Sequence, residues 1–333
     1  MPDPSLDVLA IGNAIVDVIA RTDDEFLDAE RLIKGTMRLI DAAEAERLYG
    51  RMPPGVEASG GSAANTVAGL ASLGLRTGFV GQVADDQLGE VFGHDIRALG
   101  VDFRTPPRNG EVPTARCLIL VTPDAQRTMN TFLGASQFLP PHALDEAQIE
   151  AAAILYLEGY LWDPEQPRAA MEKAIAIARR AGRKVALTLS DPFCVDRHRD
   201  GFLGLIERSA IDILFANEIE IKSLAQQEDL EAAVAAVAMR VPLLVVTRSE
   251  EGALAVRGSE RADVPAEPVD QVVDTTGAGD QFAAGFLAGQ TQGRSLEQSL
   301  RMGAIAAAEV IAHYGPRPEA DLKALMATSL ARA

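Results

Sequence analysis

Short β-prone runs alternate with Ala-rich helical stretches along most of this chain, and that rhythm limits the available folds more than any other feature. The strand candidates are Asp7 to Ile11, Thr77 to Val80, Ile154 to Leu157, Val185 to Leu189, Ile211 to Ala216 and Leu243 to Thr247. Most are apolar enough to be buried on both faces. Helical spacing occupies Ala63 to Leu73, Gln87 to Leu99, Pro167 to Ala181, Glu218 to Ala225 and Leu230 to Met239. Strand, helix, strand repeated in this way predicts an α/β fold, a mainly parallel sheet covered by helices. Its ligands are expected beyond the carboxyl ends of the strands. With 333 residues, 47% of them hydrophobic, the chain can build one large domain with a small appendage.

Two regions break the rhythm, from about Ala14 to Arg51 and from about Val101 to Leu133. Both alternate polar and apolar residues between turns, as in Thr114 to Val121 followed by Pro123-Asp124. Two such insertions can pair into a small sheet that covers the crevice as a lid. If that sheet keeps an exposed apolar face, it pairs two subunits into a homodimer; if not, the chain is a monomer.

The formal net charge of −17 argues against nonspecific binding to nucleic acid or to anionic membranes. It also requires any phosphate site to be arranged locally. Cys117 and Cys194 are the only cysteines and lack metal-type spacing, so neither a disulfide framework nor a zinc site is expected. The segment Met1-Pro2-Asp3-Pro4 has no basic stretch followed by an apolar one, and no run of about 18 apolar residues occurs. The expectation is a cytoplasmic protein.

The segment Asp274-Thr275-Thr276-Gly277-Ala278-Gly279-Asp280 carries the most chemistry. A β-prone run, Val269 to Val273, is expected to end there as a strand, and Phe282, Phe286 and Gly289 recur at helical spacing after it. Gly277 and Gly279 remove side chains that would hold a phosphate away from the helix N-terminus, where the macrodipole favours negative charge. Asp280 opposes an anion, so its economical role is to accept a proton from an attacking hydroxyl. Taken alone, the segment reads equally as a glycine turn with an ordinary first-turn acid. A dinucleotide fingerprint fails because Phe282 stands where a third glycine is needed, and a P-loop fails because the chain contains no Gly-Lys pair.

A second cluster is Ser59-Gly60-Gly61-Ser62-Ala63-Ala64-Asn65-Thr66. Paired glycines expose backbone amides before a helix, and Asn65 offers a donor and an acceptor to a sugar hydroxyl or vicinal diol. Upstream, Gly12-Asn13-Ala14-Ile15-Val16-Asp17 closes the first strand with a carboxylate suited to adjacent hydroxyls. Each piece has a structural alternative, with Ser59 or Ser62 as an N-cap and Asp17 as a turn acid.

Together, Gly60 to Asn65, Asn217-Glu218-Ile219-Glu220 and Asp274 to Asp280 resemble, in order and spacing, the ribokinase family of carbohydrate and nucleoside kinases, also called the phosphofructokinase-B group. The resemblance covers nearly the whole chain, 1–333, as one catalytic domain. It implies a doubly wound α/β domain with a small β lid, ATP as phosphoryl donor and Mg²⁺ as cofactor. Asp280 matches the family base, and the amides of Gly277, Ala278 and Gly279 match the anion hole. Asn13, Asp17, Gly60, Gly61 and Asn65 match acceptor-binding positions. Asn217 and Glu220 match an Asn-x-x-Glu element acting on Mg²⁺ through water, and Thr247 and Thr276 fall on the nucleotide side. A capping arrangement explains the Asn217/Glu220 spacing equally well.

The segments Leu187 to Phe193, Gly12 to Asp17 and Tyr156 to Tyr160 look most like the adenosine kinase branch, whose acceptor is a nucleoside 5′-hydroxyl. Ile15, Met37, Met129 and Tyr160 are then expected around the base, with a core role as the alternative. A free sugar or sugar acid uses the same ribose contacts and remains a second reading, and a non-catalytic nucleoside- or nucleotide-binding regulator a third. Arg127 on the second insertion is placed within reach of the phosphates. Asp274 and Thr276 resemble positions that hold a monovalent cation, K⁺, in some relatives. Ser249 stands where the family commonly has glycine, and His313 lies in a tail that borders the adenine of ATP.

Overall fold

A computed structural model describes residues 3–124 and 126–331; Met1 and Pro2 of the N-terminal segment lie outside the described residues. The first strands are β1 (Leu6–Ile11), β2 (Ile15–Arg21), β3 (Met37–Leu39), β4 (Gly55–Gly60), β5 (Thr77–Val80), β6 (Asp102–Phe103) and β7 (Ala115–Val121). They continue as β8 (Arg127–Phe132), β9 (Ala152–Glu158), β10 (Lys184–Thr188), β11 (Ile213–Asn217), β12 (Leu243–Thr247), β13 (Ala253–Arg257) and β14 (Glu260–Val264).

Nine strands form one sheet in the order β14-β13-β12-β11-β10-β9-β1-β5-β6. All neighbours are parallel except β12 with β13 and β13 with β14. From β1 the chain steps one way to β5 and β6, then returns and steps the other way through β9 to β12. The sheet is therefore doubly wound, and its order reverses between β1 and β9, where a crevice opens at the carboxyl ends. Alternate side chains enter two cores. Leu9, Ile11, Leu155, Leu157, Val185 and Leu187 pack in one, with the helices Glu165–Arg180 and Pro192–Glu207. Val8, Ala10, Ile154, Tyr156 and Ala186 pack in the other, with the helices Ser62–Ser72 and Ala278–Thr291. Each fully buried Leu or Ile contributes about 1.5–3 kcal/mol.

The second sheet has the order β3-β8-β7-β2-β4. One face, Val16, Val18, Ala20, Leu118 and Leu120, packs with Leu27 and Leu48 of the helices Asp24–Ala29 and Ala42–Tyr49 and with Phe92 of Gln87–Ala98. The opposite face carries Ile15, Ile19, Cys117, Ile119, Val121 and Met129. β4 belongs to this sheet although it lies beyond Arg51, and β6 belongs to the large sheet although it lies inside the second insertion.

One local reading of the sequence changes. Residues 269–273 form no strand; Val273 donates its amide to Ile311, and Val272 is 51% exposed. This segment carries the chain from the sheet edge at β14 back to its middle, where it has no strand neighbour to pair with. The strands β13 and β14 join at Gly258-Ser259, a two-residue hairpin signal, and Gly258 takes the left-handed backbone at φ 58°. No described helix is long and apolar enough to cross a membrane.

Candidate active site

The crevice is organised by Glu158 at the end of β9, a fully buried carboxylate. It accepts the amide and side-chain N–H groups of Asn13, at 2.7 and 2.5 Å, and the amide of Ala63 at 2.9 Å. Burial pushes its carboxyl up to about 7, against the pull of those donors. Glu158 thus ties the loop after β1 to the start of the Ser62–Ser72 helix. A Cβ at Gly12 would lie 2.5 Å from both Ala63 Cβ and Glu158 Oε2, so only glycine allows this approach.

Asp280 lies in the first turn of the Ala278–Thr291 helix. Ser62 Oγ donates to its Oδ1 at 2.6 Å and Asn65 Nδ2 to its Oδ2 at 3.1 Å. Ser62 and Asn65 are one helical turn apart and so share a face. Desolvation raises the Asp280 carboxyl to about 6, while the Ser62 and Asn65 hydrogen bonds and the Arg317 charge hold it down. A group titrating there is ionised at neutral pH yet basic enough to take a proton. The helix N-terminus has no side-chain cap, and Gly277 precedes it in the left-handed region at φ 74°. A Cβ at Gly279 would meet no atom within 4 Å, so that turn faces open space.

Asp274 is buried and heavily engaged. Its Oδ1 accepts the Thr276 amide at 2.7 Å and hydroxyl at 2.6 Å, and its Oδ2 accepts the Gly315 amide at 3.0 Å. Arg127 on β8 pairs with it at 2.7 Å. Arg127 therefore joins the second sheet to the loop before the Asp280 helix. Both Asp274 oxygens are thus engaged within the protein, and Arg127 balances the charge.

Asp17 lies on the same face of the second sheet as Ile15 and Ile19, and Gly60 makes room for it, since a Cβ there would lie 2.2 Å from Asp17 Oδ2. Burial raises its carboxyl to about 7, with Arg317 and Arg127 opposing and the Asp280 charge adding to the rise. Gly61 takes φ 100°, where a side chain would be strained. Tyr160 follows β9 and donates its hydroxyl to Ser190 O at 3.2 Å. Of the residues expected around a base, Ile15 and Met129 pack on the apolar cluster of the second sheet, whereas Met37 is 51% exposed on the edge strand β3.

At the end of β11, Asn217 and Glu220 form a reciprocal capping box. Glu220 accepts the Asn217 amide at 3.0 Å and its Nδ2 at 2.6 Å, and donates its own amide to Asn217 Oδ1 at 2.9 Å. Both Glu220 oxygens are engaged, and burial lifts its carboxyl to about 7. Thr247 ends β12 beside Asn217, its register partner on β11. Ser249, in the family's glycine position, still adopts the left-handed backbone at φ 50°. His313 packs in the tail, 3.2 Å from Glu309 Oε1.

Sequence reasoning missed Glu158, Ser62 as a partner of Asp280, and Arg317. Arg317 Nε donates to Asn65 Oδ1 at 3.3 Å, and its Nη2 reaches the Ser59 hydroxyl at 2.8 Å and the Ser59 carbonyl. Asp95 on the Gln87–Ala98 helix accepts the Ser59 amide at 2.8 Å and its hydroxyl. The signal in the sequence was an arginine fixed between Pro316 and Pro318.

The model of the pfkB family carbohydrate kinases matches residues 6–322. The structure of adenosine kinase from Sinorhizobium meliloti is similar at 52% identity and a TM-score of 0.90, over 97% of this chain and 99% of that one. A structure described as a "probable sugar kinase protein" from Rhizobium etli is similar at 49% identity and a TM-score of 0.91, over 98% and 99%. Adenosine kinase of Saccharomyces cerevisiae is 28% identical over 93% of this chain and 96% of its own length. The chain belongs to the pfkB family of carbohydrate kinases and is a phosphotransferase that acts on an alcohol acceptor.

Proposed function

We propose that this kinase phosphorylates the 5′-hydroxyl of a nucleoside, adenosine foremost, using ATP and Mg²⁺ with Asp280 as general base. The observation that carries the acceptor class is the division of surface around Asp17. The carboxylates and amides of Asp17, Asn65 and Asp280 lie to one side, and the apolar face of Ile15, Ile19, Cys117, Ile119 and Met129 to the other. A purine joined to ribose has the same division. Asn13 commits both its nitrogens to Glu158, which leaves its side-chain oxygen to accept from a hydroxyl. In this reading Asp17, Gly60, Gly61 and Asn65 hold the ribose, Tyr160 borders the base, and Arg127 faces the transferred group from the lid.

The residues present fit ATP and Mg²⁺. The uncapped turn at Gly277, Ala278 and Gly279 suits a phosphate, and Thr247 and Thr276 flank it. No cluster of three or more His, Cys, Asp or Glu able to hold a metal occurs among the described residues, which suits an ion carried by the nucleotide phosphates and reached from Asn217 and Glu220 through water. Bound ATP supplies the γ-phosphoryl group. The protein's own part is to orient the acceptor hydroxyl, take its proton on the Asp280 carboxylate and exclude water. We place the last task on the second sheet, acting as a lid joined to the Asp274 loop through Arg127. One face of that sheet lies under helices of the same chain, while Met37 and Leu39 on β3 and Val56 on β4 are exposed, and both a monomer and a homodimer fit this arrangement.

A sugar or sugar acid is a second reading, favoured by the two guanidiniums, Arg127 and Arg317, that bear on Asp17. A coupled assay with ATP and adenosine, guanosine, ribose, fructose and a hexonic acid decides between them. Adenosine should lead every sugar by ~10²-fold or more in kcat/KM. A sugar or sugar acid in first place would overturn the nucleoside reading.

A further inference from the structure

The tail after Ile311 closes on the active site, and one residue there has no role in the reading above. Gln281, fully buried, donates its amide both to Pro316 O and to Asn65 O, each at 3.0 Å, which binds the tail to the base helix and to the Ser62–Ser72 helix. Gly315 is anchored to Asp274. Pro316 and Pro318 then restrict the backbone on either side of Arg317, so its guanidinium enters the site from a fixed point.

We infer that Arg317 is a positioning residue for phosphoryl transfer: it fixes the Asn65 amide with its nitrogen toward Asp280 and places one positive charge among Asp17, Asp95 and Asp280. A guanidinium only donates, so its contact with Asn65 claims the side-chain oxygen and turns the NH₂ group to Asp280. A reversed amide would set its NH₂ against Arg317 and its oxygen against a carboxylate.

The charges support the second part. Asp17 from β2, Asp95 from the Gln87–Ala98 helix and Asp280 all act on Arg317 and favour its charged form against burial. Glu158 and Tyr156 of β9 also feel Asp280, and Arg127 of β8 acts on Asp17. Arg317 is thus a cation shared by Asp17 and Asp280, lowering the carboxyl of each, while the Asp280 charge raises that of Asp17.

The inference rests on Asp280 being the base, so the test includes a readout that needs no acceptor. The Asp280 carboxyl is titrated by carbon-13 NMR in the parent and in R317Q, assigned with D280N, alongside kcat against pH with ATP and the best acceptor of the panel. In R317Q the Asp280 titration and the acid limb of kcat should both move up by about one pH unit, with kcat at neutral pH down ~10-fold or more. R317K keeps the charge but loses the planar fork, and should lower kcat by several-fold with the acid limb near its parental place. An unmoved Asp280 titration in R317Q overturns the inference, even if the variant melts earlier, because a purely structural arginine would give that result. If R317Q does not fold, R317K decides: parental kcat overturns the orienting role, and a limb displaced as far as one unit overturns the separation of charge from geometry. Failure of Asp280 as base shows instead as undiminished turnover in D280N.

Discussion

The acceptor and donor ends of the proposed site are held together in different ways. At the acceptor end the partners are remote in sequence: Ser62 and Asp280 are 218 residues apart, Asn13 and Glu158 are 145 apart, and Ser59 and Arg317 are 258 apart. At the donor end neighbours prevail, since Asn217 caps with Glu220 three residues on and Asp274 holds Thr276 two residues on, although Asp274 also reaches Gly315 and Arg127. The donor end is a set of prefabricated turns. The acceptor end exists only after the sheet has brought distant loops together, whereas burial raises carboxyls at both ends, Asp17, Glu158 and Asp280 at one and Glu220 at the other.

The comparison breaks first at Asp280, where a single side chain serves both ends. Asp280→Asn should lose ~10² or more in turnover while keeping its melting temperature, since Asn can still meet Ser62 and Asn65. The unmodified enzyme should show an acid limb near pH 6, because a carboxyl raised to about 6 accepts a proton above that pH and loses this capacity as pH falls through it. Undiminished turnover in the variant would remove Asp280 as base. Glu158→Gln tests the acceptor end alone. A carboxamide offers one acceptor oxygen where three N–H groups converge, so stability should fall by about 1–3 kcal/mol, with a higher acceptor KM and the KM for ATP little changed. Equal damage to both KM values would show that the ends are not separate. Asn217→Ala is the gentlest, removing a local cap worth about 0.5–2 kcal/mol. The cost should appear as a lower melting temperature with the acceptor KM unchanged, and a raised acceptor KM would contradict the locality of that turn.

The same division explains what the sequence disclosed. Motifs that close on themselves, such as Asn217 to Glu220 and Asp274 to Gly279, can be read from neighbouring letters. The parallel sheet was legible because strands buried on both faces are continuous apolar runs. Glu158 and Arg317 were not, because a buried acid beside a strand and an arginine in a Pro-rich tail acquire meaning only from partners more than ninety residues away. The expected strand at Val269 to Val273 failed for a related reason, since β propensity requires a neighbour and this stretch has none. The fold was thus legible to the level of its layers and mainly parallel sheet, but not to its strand order or the placing of β4 and β6, and the site to the level of its local turns.

The tail held by Gln281 has a consequence for synthesis. As the chain leaves the ribosome, Ser59 and Asn65 appear early, Asp280 only after more than two hundred further residues, and Arg317 later still. Much of the large sheet can assemble on the way, because its strands end at Val264. The contacts of Ser59 and Asn65 with Arg317, and of Asn65 with Asp280, instead wait until translation is nearly finished, so a chain cut short before Pro316 can hold most of its architecture and still lack a completed catalytic centre.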